Sequence, residues 1–170
     1  MEISRIARWL DIRYCLETAT EAEACSRDLE DETLKMRAQV SCSMANLRFR
    51  GWREDSAAAS RSALALIRAA GDPRLINTLL YSHAWMECLS SNYALAREVA
   101  EEGMGIARSL NDAYHFMTCW WFQLWSLLYL GKLGEARRGL SDALSMGEKN
   151  GNPFAAMAFR IGLARLHEEA

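Results

Sequence analysis

The three histidines are the first residues to consider for chemistry, because imidazole serves both as a general base near neutral pH and as a metal ligand. His83, His115 and His167 lie far apart in the chain, and no His-x-x-x-His or Cys-x-x-Cys spacing accompanies them. Metal sites in proteins rely on such spacings. The sequence therefore predicts no metal site, and we expect His83 and His167 to lie between helices as structural side chains.

Two other segments resemble nucleophile or phosphate sites in composition only. The serine-rich run at 55–64 lacks the glycines and the strand–turn–helix context of a nucleophile elbow. Gly103 and Gly105 follow no strand, so they do not form a phosphate-binding loop. Glycine inside a helix lowers stability by about 1 kcal/mol relative to alanine. We therefore expect that Gly103 and Gly105 serve close helix packing or form a local kink. We predict that the chain is not an enzyme and uses no cofactor.

Composition narrows the class of protein further. The formal net charge is −2 and no lysine-rich arm is present, so nothing indicates direct contact with nucleic acid. The five cysteines are odd in number and irregularly spaced, which is atypical of a disulfide framework. Reduced, mostly buried thiols and a cytoplasmic location are expected.

The segment 113–131 has no Asp, Glu, Lys or Arg and approaches the length of a membrane span. His115, Thr118, Gln123 and Ser126 interrupt it, however, and the matching upstream segment contains both acidic and basic residues. A helix buried on several sides is the better interpretation. No membrane contact is predicted.

An internal repeat of 40 residues is the strongest signal in the sequence. Two kinds of turn recur at this period: Gly71, Asn111 and Gly151 in one, and Gly51, Ser91 and Gly131 in the other. Glycine or asparagine at such places supplies the left-handed residue that ends a helix. Asp or Asn follows each member of the first set as a candidate N-cap, and proline follows twice at the first helical position.

Between the turns, apolar residues recur at the helical spacing of three and four. The pattern predicts helices near 12–30, 33–50, 52–70, 73–90, 92–109, 113–130, 132–149 and 153–168. Residues 2–10 resemble the last half of another helix. The final helix is apolar over much of its circumference, although repeat arrays need polar ends. We therefore expect either a fragment of a longer protein or a homo-oligomer formed through this helix.

The repeats resemble the tetratricopeptide repeat (TPR) family. The run "GKLGEARRGLSDAL" (131–144) is similar to the second helix of that repeat, with Ala136, Leu140 and Ala143 at its small–large–small packing positions. Ala84 fits the small residue where the two helices of a pair touch, whereas Leu124 takes that place one repeat later and implies a looser or shifted crossing. The period of 40 is longer than the usual 34 of the family.

The resemblance implies an all-α, right-handed superhelix of antiparallel helix pairs, a TPR-like α-solenoid of about eight helices forming one domain over 1–170. Longer repeats of this kind resemble the scaffold and sensor regions of large bacterial regulators. The resemblance also implies that one stripe of each first helix packs within its pair and that the next stripe lines a concave surface. When this second stripe is assigned to the present sequence, the predicted binding groove contains Arg48, Tyr81, Trp85, Trp121, Phe122, Trp125, Tyr129 and Arg165.

Three functions remain open for this groove. Flat aromatic side chains with N–H and O–H groups could hold a helix or an extended peptide, which makes the chain a protein-interaction module. The same groove could bind a small molecule such as a sugar, as the sensor of a transcriptional regulator. The stripe could instead be the core between neighbouring helices of a structural or oligomerising array.

Overall fold

The computed structural model describes residues 12–50, 53–151 and 153–168. These residues form eight helices and no strand: α1 (Ile12–Ser26), α2 (Glu32–Arg50), α3 (Glu54–Ala70), α4 (Pro73–Leu89), α5 (Tyr93–Ser109), α6 (Ala113–Tyr129), α7 (Leu133–Lys149) and α8 (Pro153–Glu168). The predicted all-α fold is confirmed. The observed helix bounds agree with the predicted ones to within two residues, except at the C-terminal end of α1. The half-helix expected at 2–10 lies outside the described residues.

The end of α1 is the largest difference from the predicted bounds, because the helix stops at Ser26 and not near residue 30. The amide of Leu29 donates to the carbonyl of Ser26, which forms a turn in place of another helical turn. Asp31 then accepts a hydrogen bond from the amide of Leu34 and caps α2. This connection has no glycine, so its boundaries are harder to predict than those of the later repeats.

The chain divides into two compact units, 1–72 and 73–170. In the first unit, α2 packs against both α1 and α3. Cys15 and Ala19 of α1 meet Cys42 and Ala45 of α2 in a small buried cluster. Small side chains at this crossing allow the two helices to approach closely.

In the second unit, α6 is the central helix and contacts α4, α5, α7 and α8. Its buried residues Met117, Leu124 and Leu127 join a core with residues of α7 and α8. The largest side chain that this core buries almost completely is Phe159 of α8. None of the described helices is long and apolar enough to cross a membrane, including the central one.

The described turns follow the predicted columns, and Gly51 lies outside the described residues. Gly71, Gly131 and Gly151 have positive φ, and so do Ser91 and Asn111, which replace glycine in their columns. The side chain of Asp112 accepts a hydrogen bond from the amide of His115 and caps α6 as expected. Burial raises the pKa of Asp112, but the backbone and ring hydrogen bonds from His115 outweigh this effect and hold its pKa below the usual value.

Ser91 provides a first test of the repeat pattern. A left-handed conformation costs roughly 1–2 kcal/mol for most side chains, whereas glycine adopts it freely but loses more entropy on folding. We expect Ser91→Gly to raise the free energy of unfolding by about 0.5–1 kcal/mol in urea titration. Ser90→Gly is the matched control, because Ser90 has no positive φ and its replacement should be destabilising. A loss of stability in Ser91→Gly would contradict the prediction.

The crossing of α6 and α7 explains how the repeat accepts Leu124 where a small residue is expected. A Cβ atom built on Gly139 of α7 would overlap Cδ2 of Leu124. One repeat earlier the sequence has the opposite order, with Ala84 on the first helix and Val99 on the second. The large and small residues are exchanged between the helices. Gly139 therefore makes room for Leu124, and the side chain is almost fully buried.

Candidate binding surface

The central position of α6 explains why its tryptophans occupy more than one face. A helix that contacts four others must bury apolar groups over much of its circumference. The ring of Trp120 lies 6.2 Å from that of Phe159, and the ring of Trp121 lies 5.9 Å from the same phenyl group. On another side, Phe122 stacks with Trp85 of α4 at 6.3 Å. Part of the predicted groove stripe therefore packs between neighbouring helices.

The predicted groove residues of the second unit differ in exposure. Tyr81 is only 6% exposed, and its ring lies 5.4 Å from that of His115. Tyr129 is 45% exposed. The other four aromatic residues are partly buried, and together with Tyr129 they form what we call the aromatic surface: Trp85, Trp121, Phe122, Trp125 and Tyr129.

A continuous row of rings runs along α6 within this surface. Ring centroids are 5.2 Å apart between Trp121 and Trp125, and 5.5 Å apart between Trp125 and Tyr129. Tyr129 also stacks on Tyr93 of α5, at 4.6 Å and with nearly parallel planes. The stripe pattern of α6 does not reveal Tyr93, because this residue begins a different helix and the pattern considers one helix at a time.

Arg165 of α8 is placed at the end of this row. Its Nη1 donates a hydrogen bond of 2.6 Å to the hydroxyl of Tyr129, and its guanidinium carbon lies 5.7 Å from the ring centroid of Trp125. A cation over an indole ring is held by the charge distribution of the ring. Within the described part of the chain, Arg165 forms no ion pair with a carboxylate. Arg165 is also an exposed residue.

Arg48 is the remaining predicted groove residue. It belongs to α2 in the first unit, and its side chain lies outside the described residues. The structure therefore brings together Trp85, Trp121, Phe122 and Trp125 with Tyr129 and Arg165, and it places Tyr81 in the helix packing beside them.

The cysteine thiols, which could act as nucleophiles or metal ligands, lie mostly in the protein interior. Four of the five cysteines are buried and Cys25 is exposed. Burial raises the pKa of Cys88 to about 11 and that of Cys119 to about 12, so both are protonated and unreactive near neutral pH. Among the described residues, no three His, Cys, Asp or Glu side chains are grouped so that they could hold a metal ion.

His83 and His167 were both expected to lie between helices, and only His83 does so. His83 is buried as expected, and its Nε2 lies 3.6 Å from the carboxylate of Glu87, which also accepts a hydrogen bond from Asn92. His167 is exposed, so the expectation that it lies between helices was wrong. Leu127, the equivalent residue of α6, is buried in the core shared with α7. No described helix occupies the corresponding place beside α8.

The helix hairpins and the recurring turns define a TPR-like helical-repeat fold. Two solved structures of a kinesin light chain-type protein with nearly identical TPR-like repeats, from Podosopora anserina, are similar to this chain. One of the two is a single-residue variant of that protein. Their TM-scores are 0.73 and 0.72, each covers 98% of this chain at 12% sequence identity, and the match spans 82% and 83% of their own lengths. No family model and no curated protein matches the sequence. The likeness establishes the fold.

Proposed function

We propose that the chain is a protein-interaction module of the TPR-like type and that the aromatic surface and Arg165 bind a segment of a partner protein. TPR-like repeats generally serve as scaffolds for protein interactions, and the solved structures support that general class. The observation that carries the specific site is the row of partly exposed rings on α6 with the guanidinium of Arg165 at its end.

The chemistry of this surface indicates what the partner segment contains. Tryptophan and tyrosine contribute large contact areas at low entropic cost and are the residues most often found at the energetic centre of interfaces. The rings of Trp121 and Trp125 would contact apolar side chains of the segment. Arg165 would bind a carboxylate, because its planar guanidinium can donate two parallel hydrogen bonds. We therefore propose a peptide with apolar anchors and at least one acidic residue.

The cellular setting is part of the same proposal. Four buried thiols are compatible with a reducing compartment such as the cytoplasm. The module would act within a larger regulatory protein and position a partner by binding it without altering it. It would neither catalyse a reaction nor contact nucleic acid directly.

The binding surface can be tested with a peptide library displayed on phage and selected against the full chain. We expect enriched peptides to combine apolar and acidic residues and to quench tryptophan emission when they bind. Trp125→Ala should weaken their binding by about thirtyfold or more, which corresponds to a hot spot of about 2 kcal/mol. Arg165→Gln should weaken binding and reduce its dependence on salt, because an ion pair is lost.

Tyr114→Ala is the matched control, because Tyr114 is an exposed aromatic residue of the same helix outside the aromatic surface. Its affinity for the selected peptides should stay unchanged, and circular dichroism should show equal helicity in all three variants. Equal binding by Trp125→Ala and the unmodified chain would contradict the assignment of the site. Enrichment of a sugar-type ligand in a parallel glycan array, with no peptide selected, would favour the small-molecule alternative.

A further inference from the structure

One face of α8 is exposed although the sequence there is apolar. Met157 and Ile161 are 53% and 52% exposed, and Ala164 is exposed beside them. These residues are separated by four and three positions, so they lie on the same side of the helix. With Arg160, which lies between them on the same side, they form what we call the α8 face.

Two of the three equivalent apolar positions of α6 are buried, and the third, Trp121, is partly buried. Met117, one repeat before Met157, is 8% exposed, and Leu124, one repeat before Ala164, is 1% exposed. Both belong to the core that α6 shares with α7 and α8. The α8 face therefore has the composition of a helix-packing surface, but no described helix covers it. An exposed apolar stripe of this kind is typical of an interaction site.

The α8 face forms one wall of an open groove of about 710 Å³ beside the end of α7. Gly147 and Gly151 line the other side, where Gly147 packs closely against Ala155 and Ala156 of α8 and nothing lies within 4 Å of a Cβ atom built on Gly151. Glu148 of α7 and Arg160 of α8 form an ion pair at the rim. The groove thus has an apolar floor with one acidic and one basic residue next to each other.

We propose that the α8 face binds the α8 face of a second copy of this chain, with the two helices antiparallel about a twofold axis near residues 160 and 161. In this register Met157 of each copy lies opposite Ala164 of the other, so a large side chain meets a small one twice. Ile161 lies near its own counterpart at the centre. A twofold interface requires a self-complementary surface of this kind.

The charges of the groove favour a second copy over an unrelated partner. Near the axis, Arg160 of each copy would lie within reach of Glu148 of the other, so each ion pair within one copy can be shared across the interface. A purely acidic or purely basic partner helix would instead place a like charge next to Glu148 or Arg160. The α8 face adjoins Arg165, which follows one helical turn after Ile161, but the inference rests on Met157, Ile161 and Ala164 and does not depend on the proposed peptide function.

The first test is sedimentation velocity of the full chain over a range of concentrations. A single helix crossing buries less area than a typical stable dimer, so we expect a reversible dimer with a Kd of roughly 10–500 micromolar. Ile161→Asp should weaken the association at least about tenfold, because it buries unpaired charges at the centre of the interface. Leu133→Asp, at an exposed leucine near the start of α7, should leave it unchanged.

Disulfide trapping tests the register independently, in a Cys25→Ser background that removes the exposed native thiol. Under mild oxidation, Ile161→Cys copies should join to each other, and Met157→Cys copies should join to Ala164→Cys copies. Leu133→Cys is the control and should form far less covalent dimer. A chain that stays monomeric at millimolar concentration would overturn the proposal. So would a dimer that Ile161→Asp leaves intact, because another surface would then hold it together.

Discussion

We expect Phe159→Ala to lower the free energy of unfolding by about 3–5 kcal/mol, the largest effect of any single substitution considered for this chain. Phe159 is 1% exposed and is the largest of the almost fully buried side chains. Its ring contacts both Trp120 and Trp121, so the substitution removes the largest side chain that α8 contributes to the core and leaves a cavity against two indoles. Because a domain of this size is stable by only about 5–15 kcal/mol, much of its stability depends on this residue.

Urea unfolding monitored by circular dichroism and by tryptophan emission measures the effect. Emission of the native Phe159→Ala variant should also shift to longer wavelength, because Trp120 and Trp121 become more exposed to water. Phe159→Leu keeps most of the volume and should cost about 1–2 kcal/mol, which gives a folded variant if alanine prevents folding. Met146→Ala is the control at a partly exposed site of α7. A loss below about 1 kcal/mol in Phe159→Ala would contradict the described core.

The two glycines of α5 should respond to the same substitution with opposite signs. A Cβ atom on Gly103 would lie 2.6 Å from Sγ of Cys119 and 3.3 Å from Cβ of Leu80, whereas nothing lies within 4 Å of one on Gly105. Gly103→Ala therefore overpacks the crossing of α5 with α4 and α6, and we expect a net loss of about 1–3 kcal/mol. Gly105→Ala should gain about 1 kcal/mol from helix propensity alone.

A double variant identifies the contact that is responsible. Cys119 is fully buried in α6, so its sulfur cannot move aside into solvent. Cys119→Ala removes that sulfur, and the combination with Gly103→Ala should be more stable than the sum of the two single changes predicts. Additive effects would show that the sulfur contact is not the cause. The comparison also separates the two explanations for these glycines, because Gly103 is required for close packing and Gly105 is not.

The sequence predicted the order and the bounds of the helices well, because these depend on interactions between residues that are close in the chain. Gly71, Asn111 and Gly151 end helices through their own left-handed conformation, and Asp112 caps the helix that follows it. A repeat of 40 residues presents each of these local signals several times. The exception supports the same explanation, since the end of α1 was misplaced at a connection without a glycine.

The sequence predicted the composition of the candidate surface only in part. Helical periodicity gives the direction in which a side chain points, but the neighbour in that direction is a residue of another helix. Tyr81 and Trp85 share one stripe of α4, yet Tyr81 is buried beside His115 and Trp85 is partly exposed beside Phe122. Tyr93 could not be found from the stripe of α6 for the same reason.

The sequence alone determined that this chain is an array of helix pairs, since left-handed turn residues, N-caps and apolar spacing act within a few positions of each other. Only the tertiary structure decided which of the apolar faces are covered. It placed Gly139 against Leu124, Arg165 over Trp125, and no described helix against Met157 and Ile161. The physical reason is that burial depends on contacts between side chains distant in the chain, and such contacts leave no periodic signal in either helix.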